Sequence, residues 1–298
     1  MIIIRFFKWI FSFFTKHKKG VIAGAAGIGL AAGGAGVVNA QQAKKINKQA
    51  LEIQQAALEK HEKAYSDTQQ SLAELGEVEN QAIGSFTHFA DTMERIQGRP
   101  KFKANLFTGV KLPNYEPEEI KSLSAEVQMA IAGAGGVGVG TLAGLAAFGA
   151  GALVAAPAMV GAGLVLCVKG FGLKKKAVEN NRQAKQMEKN VEEIVAFYGD
   201  LRNAAVSFRK SVVAVYSRYT DCLLRVEDTL LTKDIWKQFT HEEKKNVENT
   251  VLLARLLCSM VKTEIVVRQE KEDKIETVNS TELVKIQKQA TKLLGQTA

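Results

Sequence analysis

Hydrophobic and polar positions alternate with a helical period over most of this 298-residue chain. The clearest pattern lies between Met187 and Val226, where apolar residues recur in alternating steps of four and three. This is the heptad spacing of helices that pack along a common seam. Val195, Val213, Tyr216 and Leu224 widen the stripe, so we expect a bundle of several helices. The seam residues are Met187, Val191, Ile194, Tyr198, Leu201, Ala205, Phe208, Val212, Val215, Tyr219, Cys222 and Val226.

A second seam occurs between residues 40 and 99. Together the two seams predict an all-α fold, an elongated helical bundle built on long heptad helices. The positions of the second seam are Ile46, Ala50, Ile53 and Ala57, and then Ala82, Phe86, Phe89, Met93 and Ile96.

Turn-forming residues predict where these helices end. Gly98-Arg99-Pro100 and the stretch 112–117 contain three of the four prolines and indicate a connecting loop, with a helix beginning near Glu118.

Two further helices are predicted near the C-terminus. Thr240 and Glu243 have the spacing of a capping box, and the helix that they start would extend toward Arg268. Arg255 and Lys262 interrupt its apolar stretch, which favours a buried amphipathic helix over a membrane span. A last helix, 281–294, would end at Gly295.

Two blocks differ from this pattern because they contain no charged side chain: Gly20–Ala43 and Val127–Val168. The second block is long enough for two helices of about twenty residues. A break at Gly149-Ala150-Gly151 or at Ala156-Pro157 would make it a Gly/Ala-rich apolar helical hairpin. Glycines at helical spacing give its first arm a face for close helix packing. The candidate membrane-insertion residues are Gly133, Gly136, Gly140, Gly144, Phe148, Pro157 and Val165.

The hairpin could also be buried in the core of a soluble bundle. Glycine costs about 1 kcal/mol relative to alanine in a helix in water. The ten glycines of this block therefore favour a tightly enclosing environment, for which we take membrane insertion as the leading hypothesis.

The first nineteen residues form a basic amphipathic pattern, with polar positions three and four apart among Ile, Phe and Trp. The following segment, 21–40, has the length of a membrane span. A secretory signal cleaved after Ala40 is the alternative.

The net charge of +9 is concentrated beside the chargeless blocks. Lysines in this position point to lipid head groups, whereas motifs for nucleic-acid binding are missing from the sequence. The candidate lipid-facing basic and anchor residues are Arg5, Lys8, Trp9, Lys16, Lys18, Lys19, Lys169, Lys174, Lys175 and Lys176, and Lys44, Lys45 and Lys48 follow the first block.

Sequence motifs for catalysis or nucleotide binding fail on inspection. Gly133, Gly135 and Gly138 have G-x-G-x-x-G spacing, but the next acidic residue is Glu179, too late to bind a ribose, and no lysine follows as in a phosphate-binding loop. Cysteines 167, 222 and 258 are far apart in the sequence, and histidines 17, 61, 88 and 241 lack metal-ligand spacing. We therefore predict a non-enzyme with no catalytic residues, cofactor, metal or small-molecule substrate.

These features divide the chain into residues 1–43, 44–126, 127–168 and 169–298. The chargeless hairpin between long helices 41–98 and 173–230 resembles the α-helical pore-forming toxins of the cytolysin A and haemolysin BL type and, more distantly, the apolipoprotein L proteins. The resemblance concerns organisation and involves no specific motif. It implies a bundle that shelters its hairpin, then inserts it into a membrane while forming a homo-oligomer.

Two functional hypotheses follow. The first is a membrane-inserting, pore-forming or membrane-permeabilising effector or toxin that binds anionic lipid. The alternative is a permanently membrane-anchored coiled-coil scaffold or receptor-like protein without pore activity. Both predict a membrane location, at a bacterial inner membrane or at a target membrane after secretion.

Overall fold

The computed structural model describes residues 34–102, 110, 112–133, 173–267 and 277–297, with side chains for 42–102, 110, 112–125, 177–266 and 277–297. This part of the chain is almost entirely helical, so the all-α prediction is confirmed. The segment 1–33 and the predicted hairpin beyond Gly133 lie outside the described residues. The elements are α1 (Gly34–Glu94), α2 (Pro117–Gly133), α3 (Leu173–Leu230), a 3-10 turn (Trp236–Gln238), α4 (His241–Val261), β1 (Val266–Val267), β2 (Thr277–Val278) and α5 (Ser280–Thr297).

The described residues fall into two compact units. Unit 1 contains residues 34–69 of α1 and 173–200 of α3. Unit 2 contains the remainder of both long helices together with α2, α4 and α5.

In unit 1, α1 and α3 run in the same direction. The Asn180 side-chain amide donates to Asn47 Oδ1 over 3.1 Å, and Thr68 Oγ1 donates to the Tyr198 carbonyl over 3.1 Å. The partners lie 133 and 130 residues apart, so both numbers rise together along the pair. In an antiparallel pair, one residue number would fall as the other rises.

Unit 2 has the same parallel arrangement of the two long helices. Glu74 pairs with Arg209, Ser85 with Tyr219 and Thr92 with Glu227, at separations of 134 or 135 residues.

Helix α2 runs against α1 in unit 2. Lys121 Nζ lies 2.6 Å from Asp91 Oδ1, and Ser124 contacts Thr87, so one number rises as the other falls. Pro117 is the first helical residue, one position before the predicted start, because a proline at this position loses no helical hydrogen bond.

The predicted α3 seam residues are buried, apart from half-buried Met187. The expected widening of the stripe is wrong at Val213 and Leu224, which are 45% and 53% exposed. Phe197, which precedes Tyr198, and Leu223, which follows Cys222, are buried instead. In unit 2 helix α4 packs on this part of α3, where Asn246 donates to the Cys222 carbonyl.

The α1 seam also differs from the prediction in its first half. Ala50 and Ala57 are buried as predicted, but Ile46 and Ile53 are only half-buried. Gln54 and His61 are buried although they were not predicted. In the second half the predicted positions from Ala82 to Ile96 are all buried.

The capping box that begins α4 is confirmed. Thr240 Oγ1 accepts from the Glu243 amide, and the Glu243 carboxylate accepts from the Thr240 amide. The predicted extension toward Arg268 is wrong, because α4 ends at Val261 and the β-branched pair Val266–Val267 forms β1.

The predicted end of the last helix at Gly295 is also wrong. Helix α5 continues to Thr297. Among the described glycines only Gly98, after α1, has a positive φ, of 69°, so Gly295 remains in the helical conformation.

Candidate functional site

The parallel pairing brings the starts of α1 and α3 together at one end of unit 1. Asn47 faces Asn180, a separation of 133 residues. At the same separation, Leu173, the first residue of α3, lies opposite position 40 of α1. Residues 34–43 of the chargeless block 20–43 form the start of α1, and the block 127–168 ends shortly before α3 begins. The C-terminal ends of the two apolar blocks therefore lie at the same end of one helix pair, whereas the block 127–168 begins within α2.

Six lysines belong to the parts of α1 and α3 near this end of the pair, and we call them the basic collar. Lys44, Lys45 and Lys48 lie on α1, and all three are exposed. Lys174, Lys175 and Lys176 lie in the first turn of α3, opposite positions 41 to 43 of α1 at the same separation of 133 residues. The described ion pair here is Lys48 with Glu52, 3.8 Å apart and exposed on both sides. An exposed pair of this kind holds its charges weakly, so it leaves Lys48 able to bind another anion.

The collar suits a surface of anionic head groups. Each Lys near a negatively charged membrane contributes about 1 kcal/mol of binding free energy. The start of α3 adds the positive end of one helix dipole, whereas α1 begins at Gly34, well before its collar lysines. The charges of these lysines suit phosphate groups beside the C-terminal ends of the two apolar blocks.

The other predicted membrane residues are placed unevenly. Gly133 is the last residue of α2. The rest lie outside the described residues: Arg5, Lys8, Trp9, Lys16, Lys18, Lys19, Gly136, Gly140, Gly144, Phe148, Pro157, Val165 and Lys169.

A row of polar side chains lies along the α1 seam in unit 1, and we call it the polar seam. It consists of Asn47, Gln54, His61 and Thr68, each seven residues after the last, and all but half-buried Asn47 are buried. In unit 2 the same heptad position is held by apolar residues, all buried: Leu75, Ala82, Phe89 and Ile96. The periodicity of apolar residues does not reveal this row, although its seven-residue repeat of polar residues is visible in the sequence.

The polar seam is incompletely hydrogen-bonded. Gln54 Oε1, His61 Nδ1 and the Tyr65 hydroxyl are buried without a hydrogen-bond partner. A buried polar group in this condition costs about 1 to 3 kcal/mol. The helix pair in unit 1 is therefore held less firmly than its burial suggests.

His61 lies in an aromatic cluster. Its ring is 6.3 Å from Tyr65 and nearly parallel to it, and 5.6 Å from Tyr198 of α3 at an angle of 59°. Burial lowers the pKa of His61 and raises the pKa of Tyr65 to about 12. Burial also raises the pKa of Tyr198. All three rings are thus held in their neutral forms.

Arg255 of α4 is the other polar group that the structure places unexpectedly, since it is fully buried in unit 2. Its Nε donates to the Tyr115 carbonyl over 2.7 Å, and Nη2 donates to the Phe102 carbonyl over 2.8 Å. Nη2 also lies 3.5 Å from the Glu116 carboxylate. Arg255 therefore links α4 to the connection between α1 and α2, at Phe102 and at Tyr115. This is a structural role.

The part of the chain that the structure describes contains no cluster of side chains suited to a metal ion. Among these same residues, no helix combines the length and the apolar character needed to cross a membrane. Comparison with protein-family models, with curated proteins and with solved structures found no match.

Proposed function

We propose that this protein inserts into anionic membranes and permeabilises them. The blocks 20–43 and 127–168 enter the lipid, and the basic collar binds the head groups beside them. The observation that carries the proposal is the parallel pairing of α1 and α3, because it brings the C-terminal ends of both blocks to one end of unit 1.

The sequence supports the proposal from two sides. The basic amphipathic pattern of the first nineteen residues is suited to lie at a membrane surface before insertion. The glycine spacing of the block 127–168 is suited to close helix packing within lipid.

We extend the proposal to the architecture and to assembly. An elongated bundle with long heptad helices would carry the Gly/Ala-rich hairpin at one end. Self-association through these helices would bring several hairpins together in a homo-oligomer.

A permanently anchored coiled-coil scaffold is the second candidate. Parallel helices that emerge from a membrane on one side, with lysines at their base, would have the same pairing and the same collar. The difference is that such a protein would bind membranes without opening them.

Dye release from vesicles distinguishes the candidates. The full-length protein is added to vesicles of phosphatidylcholine with or without phosphatidylglycerol, and sedimentation separates bound from free protein. One variant replaces the six collar lysines by Gln. A matched control replaces six exposed lysines of unit 2, which gives the same net charge: Lys210, Lys237, Lys245, Lys285, Lys288 and Lys292.

We expect the parent and the control to release dye from the anionic vesicles, and the collar variant to lose most binding and release. Binding without release would favour the scaffold. Equal binding by the collar variant and the control would refute a role for the collar.

A further inference from the structure

We infer that the polar seam makes unit 1 an acid-sensitive device, in which protonation of His61 separates α1 from α3 while unit 2 stays folded. The inference concerns the geometry of unit 1 and does not depend on membrane insertion.

The space around His61 suits a neutral ring. The side chain is 6% exposed and has aromatic rings beside it on both helices, with Nδ1 lacking a hydrogen-bond partner. An imidazolium ion needs hydrogen-bond acceptors for both of its N–H groups. Because Nδ1 has none, the ion is poorly accommodated while the helices remain paired.

The charged groups near His61 are exposed, and its aromatic neighbours are neutral. Glu62, which follows it on α1, is exposed and is the one neighbour that favours the protonated ring by its charge. Tyr65 and Tyr198 are neutral groups. At the same level of α3, Glu192 and Glu193 are exposed, as is Lys60 on α1. The acidic groups would stabilise the ion once the ring reached water, which favours the separated state.

A fall in pH favours separation of the two helices in unit 1. Burial lowers the pKa of His61 below its ordinary value of 6.5 in the paired state. As the pH falls through that value, the separated state takes up the proton first and is favoured. If the paired state binds no proton, protonation at pH 5 increases the equilibrium constant for separation by about thirtyfold.

Glu79 in unit 2 has the opposite response to acid. Glu79 of α1 is buried there, 4% exposed, and burial raises its pKa to about 8. The folded state therefore binds a proton at a pH where the unfolded state would release it, so its stability is largest at low pH and is lost as the pH rises toward 8. Protonation of His61 thus weakens the α1–α3 pairing in unit 1, whereas protonation of Glu79 stabilises unit 2.

The difference between the units follows from the heptad position that they share. In unit 1 this position is polar and lacks several hydrogen bonds, and in unit 2 it is apolar. Separation of unit 1 leaves fewer apolar side chains exposed to water than separation of unit 2 would.

Hydrogen exchange of the full-length protein, followed by mass spectrometry of its peptides, tests the inference. Protection is compared at pH 7.5 and pH 5.0 after correction for the effect of pH on chemical exchange. We expect peptides from 42–69 and 177–200 to lose protection by about ten- to thirtyfold at pH 5.0. Peptides from 70–94 and 201–230 should keep theirs.

The variants His61→Leu and His61→Gln should remove the loss, since neither side chain titrates. His88→Gln is the matched control, because His88 is exposed, lies on the same helix and pairs with Glu227 in unit 2. This control should behave as the parent does. Two results would overturn the inference: an equal loss of protection in both units of the parent, or the same loss in unit 1 without His61.

Discussion

At the scale of single residues, Arg255 shows how one buried charge can organise a loop. A guanidinium with no exposure would be destabilising by several kcal/mol without partners. Here it donates to the carbonyls of Phe102 and Tyr115, which both lie in the connection between α1 and α2. Backbone carbonyls shielded from water need donors of their own, so the two requirements are met together.

Replacing Arg255 by Ala should therefore destabilise unit 2 by about 3 kcal/mol, because two carbonyls lose their donor and a cavity remains. Urea unfolding followed by circular dichroism measures the change. Arg209→Ala is the control, since Arg209 forms a half-exposed ion pair with Glu74 and its loss should cost less than about 1 kcal/mol. Equal effects of the two substitutions would contradict the role given to Arg255.

At the scale of elements, the central feature is the parallel pairing of α1 and α3. Consecutive helices joined by a short turn pack antiparallel. The 78 residues between Glu94 and Leu173 leave room for a return, and α2 provides its first part by running against α1. The parallel arrangement thus depends on the intervening chain.

Cysteine cross-linking checks the direction and register of this pair. Asn47→Cys combined with Asn180→Cys should form an intramolecular disulfide under mild oxidation, because the two native side chains are within 3.1 Å of each other. Asn47→Cys with Ala196→Cys is the control, and it should stay reduced. Mass spectrometry of the linked peptide identifies the product. Cross-linking of the control pair alone would indicate antiparallel helices.

At the scale of the whole molecule, the proposed function depends on the neighbouring N-terminal parts of α1 and α3. The collar lysines come from residues more than one hundred positions apart in the sequence, and the helix pairing makes them one surface. Their action is electrostatic and is therefore screened by salt, with a Debye length of about 10 Å at 0.1 M.

Binding to anionic vesicles should thus fall steeply between low salt and about 0.3 M salt, since the six lysines act together. Sedimentation over a salt series measures the bound fraction. The collar variant, with Gln at these six positions, should show a shallow dependence, while the unit 2 lysine control should match the parent. A parent whose binding is unaffected by salt would exclude the collar as the binding surface.

The sequence by itself determined the helices, several of their ends and most of the buried positions of α3. A helical period of apolar residues, the Thr240 capping box and the break at Gly98 are local properties, because they depend on residues within one or two turns. The chargeless blocks and their flanking lysines are likewise visible in the order of residues alone.

Only the tertiary structure decided which face of each helix was covered, and by what. Val213 and Leu224 have apolar side chains yet remain exposed, and Arg255 and His61 are polar yet buried. Burial depends on the helix that packs opposite, and a periodic pattern does not identify that helix or its direction. The parallel register that makes the basic collar arises from side chains more than one hundred residues apart, so it could be seen only once the chain was folded.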